Sequence, residues 1–425
     1  MTTVVMKFGG TSVADARRCL AAADRIVQTK LNGNRVVATV SARGHTTDEL
    51  YKLAYEIDSN PSRRELDMLV STGEQVSVAL MAMAVTKLGH MAVSLIGSQM
   101  GIYTDGSHGK ARIAAIKPDR ILQELDQGHI VIAAGFQGIS PNSEITTLGR
   151  GGSDTTAVAL AVAVGADLCE IYTDVDGVYT ADPRIVPKAR KLDRICHDEM
   201  LELASMGAGV LHPRSVELAK KFRMPLSVRP SFDNSAGTIV TQEIDSMESV
   251  IVRGAAINVD EAKVTVIGVP DQPGIAARIL ERVAGCNVNL DMIVQNVGRD
   301  GKADVTFTVM KNDLPEALQA CENAAKELGA AGVTADDNIA KISVVGVGMR
   351  SHSGVASKMF NALAEKQINI QMISTSEIKI SCVVEKERGP DALRALHEAF
   401  ELDKPESSRS YSGVSFHPET KPESV

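Results

Sequence analysis

Roughly the first 240 residues alternate short apolar, β-branched runs with segments whose apolar residues recur every three or four positions. The short runs predict strands at 3–8, 35–40, 92–96, 130–134, 169–173 and 225–228. Longer segments between them predict helices, among them 14–29 and 66–88. This alternation is typical of a mainly parallel sheet with helices on both faces. Ligands of such folds bind beyond the carboxyl ends of the strands, so the loops after the strands are the candidate sites.

From about residue 263 onward the chain repeats itself. The run KVTVIGV at 263–269 matches KISVVGV at 341–347, an offset of 78 residues. Gly274 then aligns with Gly354 at an offset of 80, so the second copy carries a two-residue insertion. Each copy reads strand, glycine loop, helix, strand, strand, helix and a last strand. This order predicts two ferredoxin-like βαββαβ units.

These patterns predict a larger N-terminal domain followed by a duplicated C-terminal region. The second repeat is expected to take a strand from 246–262 or 403–416. The last stretch is rich in Ser, Pro and Glu, which predicts a flexible tail. The predicted segments are 1–245 for the larger domain, 246–262 for a linker, 263–338 and 339–402 for the repeats, and 403–425 for the tail.

Composition narrows the class of protein. Aromatic residues make up 3% and Trp is absent, so the core is expected to consist of Val, Ile, Leu, Ala and Met. The formal net charge of −8 argues against nucleic acid as the main partner. The longest apolar stretch, 157–164, is far shorter than the roughly 18 residues that span a bilayer, and no charged leader precedes the first strand. We therefore expect a soluble, cytoplasmic protein without a membrane partner.

The cysteines and histidines form no pattern that indicates a metal site. The six cysteines contain no CxxC pair, which predicts small buried side chains in a reducing compartment. No metal-ligand spacing links the nine histidines, and His108, His197 and His212 are interpreted as isolated polar or packing residues. No GxxxxGK[ST] loop is present either. A nucleotide site must therefore be built from other glycine-rich loops.

The first glycine-rich loop, 7–12, directly follows the first predicted strand. Gly9 and Gly10 allow backbone N–H groups to approach a phosphate, and the helix expected near Ala14 would add its positive N-terminus. Lys7 can supply a full charge to oxygens that gain charge in phosphoryl transfer. A tight strand-to-helix turn with an exposed lysine is the other interpretation of this loop.

The second loop, 148–156, places three glycines, Arg150, Ser153 and Asp154 within six residues before a helix of small apolar residues. It combines flexible backbone, a guanidinium suited to carboxylate or phosphate, and hydroxyl donors. A purely structural loop rarely needs all of these features. The pattern therefore favours a functional site.

Two further segments allow both a functional and a structural interpretation. In the third loop, 172–184, the preceding strand is predicted to end at Thr173 and Asp174, and the chain then turns through an Asp-Gly pair. It either holds a nucleotide and its metal or is only a hairpin. The segment 71–75 contains Glu74, whose carboxylate either faces a substrate ammonium group or is a solvated helix charge.

Together these segments resemble the aspartate kinases of the amino acid kinase family. The signatures are KFGGTS at 7–12, VSARGHTTDEL at 40–50, STGEQVS at 71–77, GFQG at 135–138, TTLGRGGSDTTAVALA at 146–161 and EIYTDVDGVYTADPR at 170–184. The repeat is similar to the paired ACT domains of the same enzymes. The resemblance runs from residue 2 to about 400. It does not fit acetylglutamate kinase or uridylate kinase, which lack the C-terminal repeat.

The resemblance implies transfer of a phosphoryl group from ATP, with Mg²⁺, to the side-chain carboxylate of L-aspartate. Matching motifs imply a catalytic pair, Lys7 and Asp154. The implied aspartate-binding residues are Thr47, Glu74, Arg150, Gly151, Gly152 and Ser153, and the implied ATP-binding residues are Lys7, Phe8, Gly9, Gly10, Ser41, Thr173, Asp174, Tyr179, Asp182 and Arg184. No metal ligand is directly assigned. Arg43 departs from the Met of many relatives, and we expect it to point to solvent rather than to tighten phosphate binding.

By the same resemblance, the repeat binds lysine, threonine or both and joins copies of the chain into a homo-oligomer. Its implied effector-binding residues are Asp271, Gly274, Ile275, Ala276, Asn289, Leu290, Asp291, Gln295, Val355, Asn369 and Ile370, with 350–355 as the second effector loop. A restart near Met247 would give a shorter regulatory subunit. The alternatives are a repeat that only dimerises, a non-catalytic amino-acid sensor, and another small-molecule kinase of this fold.

Overall fold

The computed structural model describes residues 1–206, 210–242, 252–286, 288–298, 301–347, 349, 354–405 and 409. The chain forms two compact units. The N-terminal unit comprises Met1–Tyr179 and Lys191–Met247, and the C-terminal unit comprises Thr180–Arg190 and Glu248–Val425. The chain therefore enters the C-terminal unit twice, first through the segment Thr180–Arg190.

The described part of the N-terminal unit is built on an eight-stranded sheet with the order β10-β12-β11-β9-β1-β2-β6-β3. Its pairs are parallel except for β11 with β12. A smaller sheet has the order β5-β4-β7-β8. The strands are β1 Thr3–Phe8, β2 Arg35–Val40, β3 Ala92–Leu95, β4 Ile102–Thr104, β5 Ile113–Ile116, β6 Ile130–Ala134, β7 Gln137–Ile139, β8 Ile145–Thr147, β9 Leu168–Thr173, β10 Arg194–Cys196, β11 Leu226–Pro230 and β12 Thr238–Thr241.

Helices cover both faces of the large sheet, which confirms the predicted fold class. Val4, Met6 and Phe8 of β1 share one apolar core with α1 and α4. Because side chains alternate along a strand, Val5 and Lys7 face the other side, where α6 packs against β1. The helices are α1 Ala16–Leu31, α2 Thr46–Ile57, α3 Arg63–Val70, α4 Thr72–Lys87, α5 Asp119–Asp126, α6 Gly152–Ala163, α7 His197–Ser205 and α8 Pro213–Phe222.

The single helix predicted at 66–88 is two helices in the structure. The regular pattern is interrupted at Ser71, between α3 and α4. By length and composition alone, the segment Arg63–Lys87 is long and apolar enough to cross a membrane. Half of its most apolar stretch is buried inside the protein, however, and Met81 and Val85 of α4 are fully buried. This is the behaviour of a core helix.

The C-terminal unit contains two four-stranded antiparallel sheets among its described residues, one for each repeat. The first has the order β15-β16-β14-β17, and the second has the order β13-β18-β20-β19. The elements are β13 Gly254–Asn258, β14 Glu261–Pro270, α9 Ile275–Gly285, β15 Leu290–Val297, β16 Lys302–Met310, α10 Leu314–Leu328, β17 Gly332–Asp336, β18 Ile339–Val345, α11 Val355–Glu365, β19 Met372–Thr375, β20 Lys379–Glu385 and α12 Gly389–Ala399. The second sheet takes its fourth strand, β13, from 254–258.

The two repeats contact each other through equivalent residues. Lys263 of the first repeat donates to the side chain of Gln371 in the second, at 2.5 Å. Its counterpart Lys341 in the second repeat contacts Asp291, the residue of the first repeat that aligns with Gln371. Such reciprocal contacts are the mark of a two-fold arrangement. The repeats are therefore paired around an approximate two-fold axis within one chain.

One sequence prediction is partly wrong, and several others fall on residues that the structure does not describe. Cys286 is exposed, contrary to the expectation of uniformly buried thiols, whereas the other five cysteines are buried. Met247, most of the second effector loop (350–353) and most of the tail (406–408 and 410–425) lie outside the described residues.

Candidate active site

The site begins at the carboxyl end of β1 with Lys7. Its Nζ lies 2.6 Å from Oδ1 of Asp154, which stands in the first turn of α6. The two side chains are 12% and 13% exposed. An ion pair this sheltered holds both groups in one place while leaving them within reach of a ligand. The predicted catalytic pair is thus brought together.

A close backbone turn follows Lys7. A Cβ on Gly10 would lie 2.7 Å from the carbonyl oxygen of Ala42, so only glycine fits without a shift of the backbone. Gly10–Val13 forms a short 3-10 turn, and α1 begins at Ala16. The helix expected near Ala14 therefore starts later. Asp15 caps it by accepting from the backbone N–H of Arg18, so the turn, rather than the N-terminus of α1, is the candidate phosphate contact.

The Arg150 loop lines the same cleft as this turn. Gly151 has φ +68°, and a Cβ there would lie 2.1 Å from the His212 ring, so this position requires glycine. Gly151 is the N-cap of α6, and none of the described side chains caps the helix. Arg150 and the first residues of α6, Gly152 to Asp154, line the same cleft. This combination suits a carboxylate.

Glu74, in the first turn of α4, is only 3% exposed. Its Oε1 accepts from the backbone N–H of Ala42 at 3.0 Å, and among the described residues its buried Oε2 has no hydrogen-bond partner. Burial raises the pKa of Glu74 to about 7, against the lowering effect of the Ala42 hydrogen bond. An unsatisfied buried carboxylate oxygen is costly, so Oε2 is a site for a donor that the protein itself does not supply.

These groups line one cleft of about 290 Å³. It brings together the predicted catalytic pair and all the predicted aspartate-binding residues. Phe8 is different: it is 1% exposed and stacks on Tyr172 at 4.9 Å between ring centroids. The lining residues are Lys7, Gly9, Gly10, Ser41, Ala42, Gly44, Thr47, Glu74, Phe136, Gly149, Arg150, Gly151, Gly152, Ser153 and Asp154.

The predicted ATP-binding residues of the third loop are divided between the two units. Thr173 donates to Asp174 at 3.1 Å, and Tyr179 donates its hydroxyl to Asp176 at 2.8 Å, all in the N-terminal unit. Asp182 and Arg184 lie in the C-terminal unit, where they form an ion pair of 2.7 Å. Their role in ATP binding stays a prediction.

Phe136 is a cleft residue that sequence reasoning did not single out. It is 9% exposed and has φ +70°, a conformation that few residues other than glycine adopt. Its backbone N–H donates to the hydroxyl of Thr156, and a Cβ on Gly152 would lie 2.8 Å from its ring. Strain of this kind persists where the surroundings hold it, often at functional sites. The only sequence signal was its position directly after β6, within GFQG.

Two polar residues behave differently from their prediction. Arg43 does not point to solvent, because its guanidinium donates to the carbonyls of Val13 and Ala14 at 3.1 Å each. His108 is not isolated, because it contacts Asp67 at 2.8 Å. His197 and His212 are packing residues, as expected: His197 is 2% exposed and contacts a backbone carbonyl, and His212 packs against Gly151.

The predicted effector residues lie on matching parts of the two repeats. In the first, Asp271 is exposed just after β14, and Gly274 has φ +91° at the start of α9. Asp291, on β15, is already paired with Lys341. The first repeat also places Ile275 and Ala276 in α9, Asn289 before β15, and Leu290 and Gln295 on β15, whereas the second places Val355 in α11 and Asn369 and Ile370 before β19.

A glycine turn beside a lysine, in one cleft with an arginine loop and a buried carboxylate, fits a phosphotransferase site for a small charged substrate. Comparison with known proteins agrees with this class. The model of the amino acid kinase family matches residues 2–230, and models of the ACT domain match 263–325 and 342–400.

Curated relatives are similar over nearly the whole chain. The aspartate kinase Ask_LysC of Stutzerimonas stutzeri is 54% identical over 406 residues, covering 95% of this chain and 98% of the relative. The aspartokinase of Mycolicibacterium smegmatis is 50% identical, covering 97% and 100%. The crystal structure of aspartokinase III from E. coli in complex with aspartate and ADP has a TM-score of 0.81 at 25% identity, covering 94% of this chain and 100% of that one. This chain belongs to the aspartate kinases, the ACT-containing enzymes of the amino acid kinase family.

Proposed function

We propose that this enzyme transfers the γ-phosphoryl group of ATP to the side-chain carboxylate of L-aspartate, giving ADP and 4-phospho-L-aspartate. The observation that carries the proposal is the buried Oε2 of Glu74, which has no hydrogen-bond partner among the described residues, in the cleft that contains Lys7 and Arg150. An α-amino acid has an ammonium group for Glu74 and an α-carboxylate for Arg150 and the N-terminus of α6. Its side-chain carboxylate then remains for the reaction.

The chemistry requires no general base. A carboxylate is ionised at pH 7 and is itself the nucleophile. Its oxygen forms the new bond to the γ-phosphorus while the bond from that phosphorus to the bridging oxygen of ADP breaks. No catalytic histidine is needed for this step. The main obstacle is repulsion between two anions, and positioning them can supply about 7–11 kcal/mol.

Lys7 is suited to offset the negative charge of the transferring group. The ion pair with Asp154 fixes its ammonium at the edge of the cleft. Preorganised charges of this kind are effective because they do not reorient during the reaction. We assign Lys7 to stabilise the phosphoryl group, and Asp154 to hold Lys7 in place.

Magnesium is expected to enter with the nucleotide. Among the described residues, no group of three or more His, Cys, Asp or Glu side chains could hold a metal. Mg²⁺ commonly keeps several waters and binds through one or two carboxylates together with phosphates, and the exposed Asp174 after β9 fits that use. The ion would neutralise phosphate charge.

The proposal includes feedback regulation by lysine, threonine or both, as the first step of their biosynthesis in the cytoplasm. The ACT domains support it, as does the aspartokinase III of E. coli, which was crystallised with lysine and aspartate. Gln295→Ala, on β15, is expected to relieve inhibition while leaving the uninhibited rate nearly unchanged. Inhibition curves with lysine and threonine, singly and together, test this, and unchanged inhibition by each would contradict it. A homo-oligomer through the ACT domains, with or without a shorter subunit, is part of the same proposal.

The substrate is tested by ATP consumption with a panel of amino acids. L-Aspartate should support turnover. N-acetyl-L-aspartate, which lacks the ammonium for Glu74, and L-asparagine, which lacks the nucleophile, should not. Equal turnover with N-acetyl-L-aspartate would contradict the assigned role of Glu74. Turnover with another small anion and none with aspartate would replace the proposed substrate.

A further inference from the structure

The Arg150 loop is braced by two side chains that lie outside the cleft. Residues 147–149 lead into this loop, and the neighbouring segment 108–111 runs beside them, joined by a hydrogen bond of 2.9 Å from the Ala111 N–H to the Thr147 carbonyl. Asp67 and Arg214 each contact both segments. They come from different helices, α3 and α8.

Arg214 binds the two segments through backbone carbonyls. One terminal nitrogen donates to the carbonyl of Leu148 at 2.5 Å, and the other donates to the carbonyl of Ala111 at 3.0 Å. Both acceptor residues are fully buried, and Arg214 is half-buried. Within the described part of the chain, Arg214 makes no salt bridge. Its planar fork is therefore used on the backbone of the loop, a task that lysine, with a single nitrogen, cannot reproduce.

Asp67 binds the same segments from the side of α3. It is 1% exposed and accepts from the Thr147 hydroxyl at 2.5 Å and from the Gly109 N–H at 3.1 Å. His108 contacts its second oxygen at 2.8 Å. A buried carboxylate is normally paired or fully hydrogen-bonded, and Asp67 meets that need with donors from the two segments and from His108.

Two further features show how little freedom the loop has. A Cβ on Gly149 would lie 3.0 Å from the carbonyl of Gly109, and a Cβ on Gly151 would lie 2.1 Å from the ring of His212. His212 immediately precedes α8 and is its N-cap. The loop is therefore in close contact with both neighbours. One is the segment held by Asp67, and the other is the start of the helix that carries Arg214.

We propose that Asp67 and Arg214 are positioning residues for the aspartate-binding loop. They fix Gly149–Gly151 so that the Arg150 guanidinium and the first N–H groups of α6 meet the substrate carboxylate. This inference rests on the proposed function, because it takes aspartate as the ligand of that loop. Lys7 and the Gly9–Gly10 turn make no contact with Asp67 or Arg214 among the described residues, so nucleotide binding should be independent of both.

The test is steady-state kinetics on the full-length enzyme with Arg214→Ala, Arg214→Lys and Asp67→Asn. Misplacement of a reacting group by about 1 Å can cost on the order of 100-fold. We expect kcat/KM for aspartate to fall about 100-fold in Arg214→Ala and less in Arg214→Lys, with KM for ATP within about twofold of the wild type. Added guanidinium ion should restore part of the activity of Arg214→Ala only. The exposed Arg194→Ala is the matched control and should behave as the wild type.

The outcomes separate positioning from general stability. A structural role alone would lower the melting temperature and the active fraction, leave KM for aspartate unchanged, and give no rescue by guanidinium. That result would overturn the inference. If Arg214→Ala does not fold, Arg214→Lys decides: a raised KM for aspartate supports the inference and an unchanged one overturns it. A wild-type enzyme without aspartate-dependent turnover would instead contradict the proposed substrate.

Discussion

Glu74 and Lys341 are both buried charges, 3% and 2% exposed, but their surroundings differ. Glu74, in the N-terminal unit, has one oxygen without a partner among the described residues, and burial raises its pKa to about 7. Lys341, in the C-terminal unit, is held by the carboxylates of Glu261 and Asp291. Burial alone would lower the pKa of Lys341, but the two carboxylates outweigh it and raise that pKa.

The difference indicates what each charge is for. A buried charge whose partners belong to the protein fixes a structure, here the pairing of two repeats. A buried charge that lacks a partner makes the empty protein less stable and is relieved when a ligand supplies the missing group. The comparison therefore predicts that Lys341 matters mainly for stability and Glu74 mainly for substrate binding.

Lys341→Met should have the largest effect on stability. It leaves the buried Glu261 without its cation, and breaking a buried pair in this way costs about 3–5 kcal/mol. Urea unfolding of the full chain should show this loss in the transition of the C-terminal unit. The double variant Lys341→Met/Glu261→Gln should recover much of it, because both charges are then gone. A loss below about 1 kcal/mol in the single variant would break the comparison.

Lys7→Met tests the intermediate case, a charge that has a protein partner but also faces the cleft. The variant removes one preorganised positive charge that would stabilise the transferring phosphoryl group, and this should lower kcat by about 10²–10³. Steady-state rates at saturating ATP and aspartate measure this. Arg43→Met, which removes a nearby cation that binds the backbone instead, should change KM for ATP less than about threefold. If Lys7→Met and Arg43→Met lowered kcat equally, the local positive charge, and not the position of Lys7, would be what matters.

Glu74→Gln should have the smallest effect of the three. A hydrogen bond to a charged group contributes about 1.5–3 kcal/mol, so KM for aspartate should rise about 10- to 100-fold, with KM for ATP unchanged. Kinetics with each substrate varied in turn measure this. The exposed Glu49→Gln is the matched control. An unchanged KM for aspartate would contradict the assigned contact.

The raised pKa of Glu74 gives that variant a second readout. Between the ordinary glutamate value of about 4.3 and about 7, the folded enzyme keeps a proton that the unfolded chain releases. The free energy of unfolding of the empty enzyme should therefore fall as pH rises through this window. Glu74→Gln should lack that component, and kcat/KM for aspartate in the wild type should increase towards pH 7 as the carboxylate ionises.

The central strands of the large N-terminal sheet could be predicted from the sequence. β1, β2 and β6 occupy the predicted positions, because buried parallel strands leave uninterrupted apolar runs. The short strands of the smaller sheet of the N-terminal unit, such as β4 and β8, leave too few residues for such a signal. The interruption at Ser71 was not predicted, because the helical spacing of apolar residues continues across it.

The residues that support the site could not be predicted in the same way. Lys7, Glu74 and Arg150 stand in glycine-rich or strand-end segments that carry a local signal. Asp67 and Arg214 lie 80 or 66 residues from their partners Thr147 and Leu148, inside ordinary helices. Only the folded chain brings these pairs together. Their contacts are therefore a result of the structure alone.

The most direct test of the central claim is to identify the product. Acyl phosphates react with hydroxylamine to give hydroxamates, whereas free aspartate does not. The enzyme incubated with ATP, Mg²⁺, L-aspartate and hydroxylamine should form one aspartyl hydroxamate for each ADP released, modified on the side-chain carboxylate. ADP release that does not depend on aspartate, or that yields no hydroxamate, would contradict the claim.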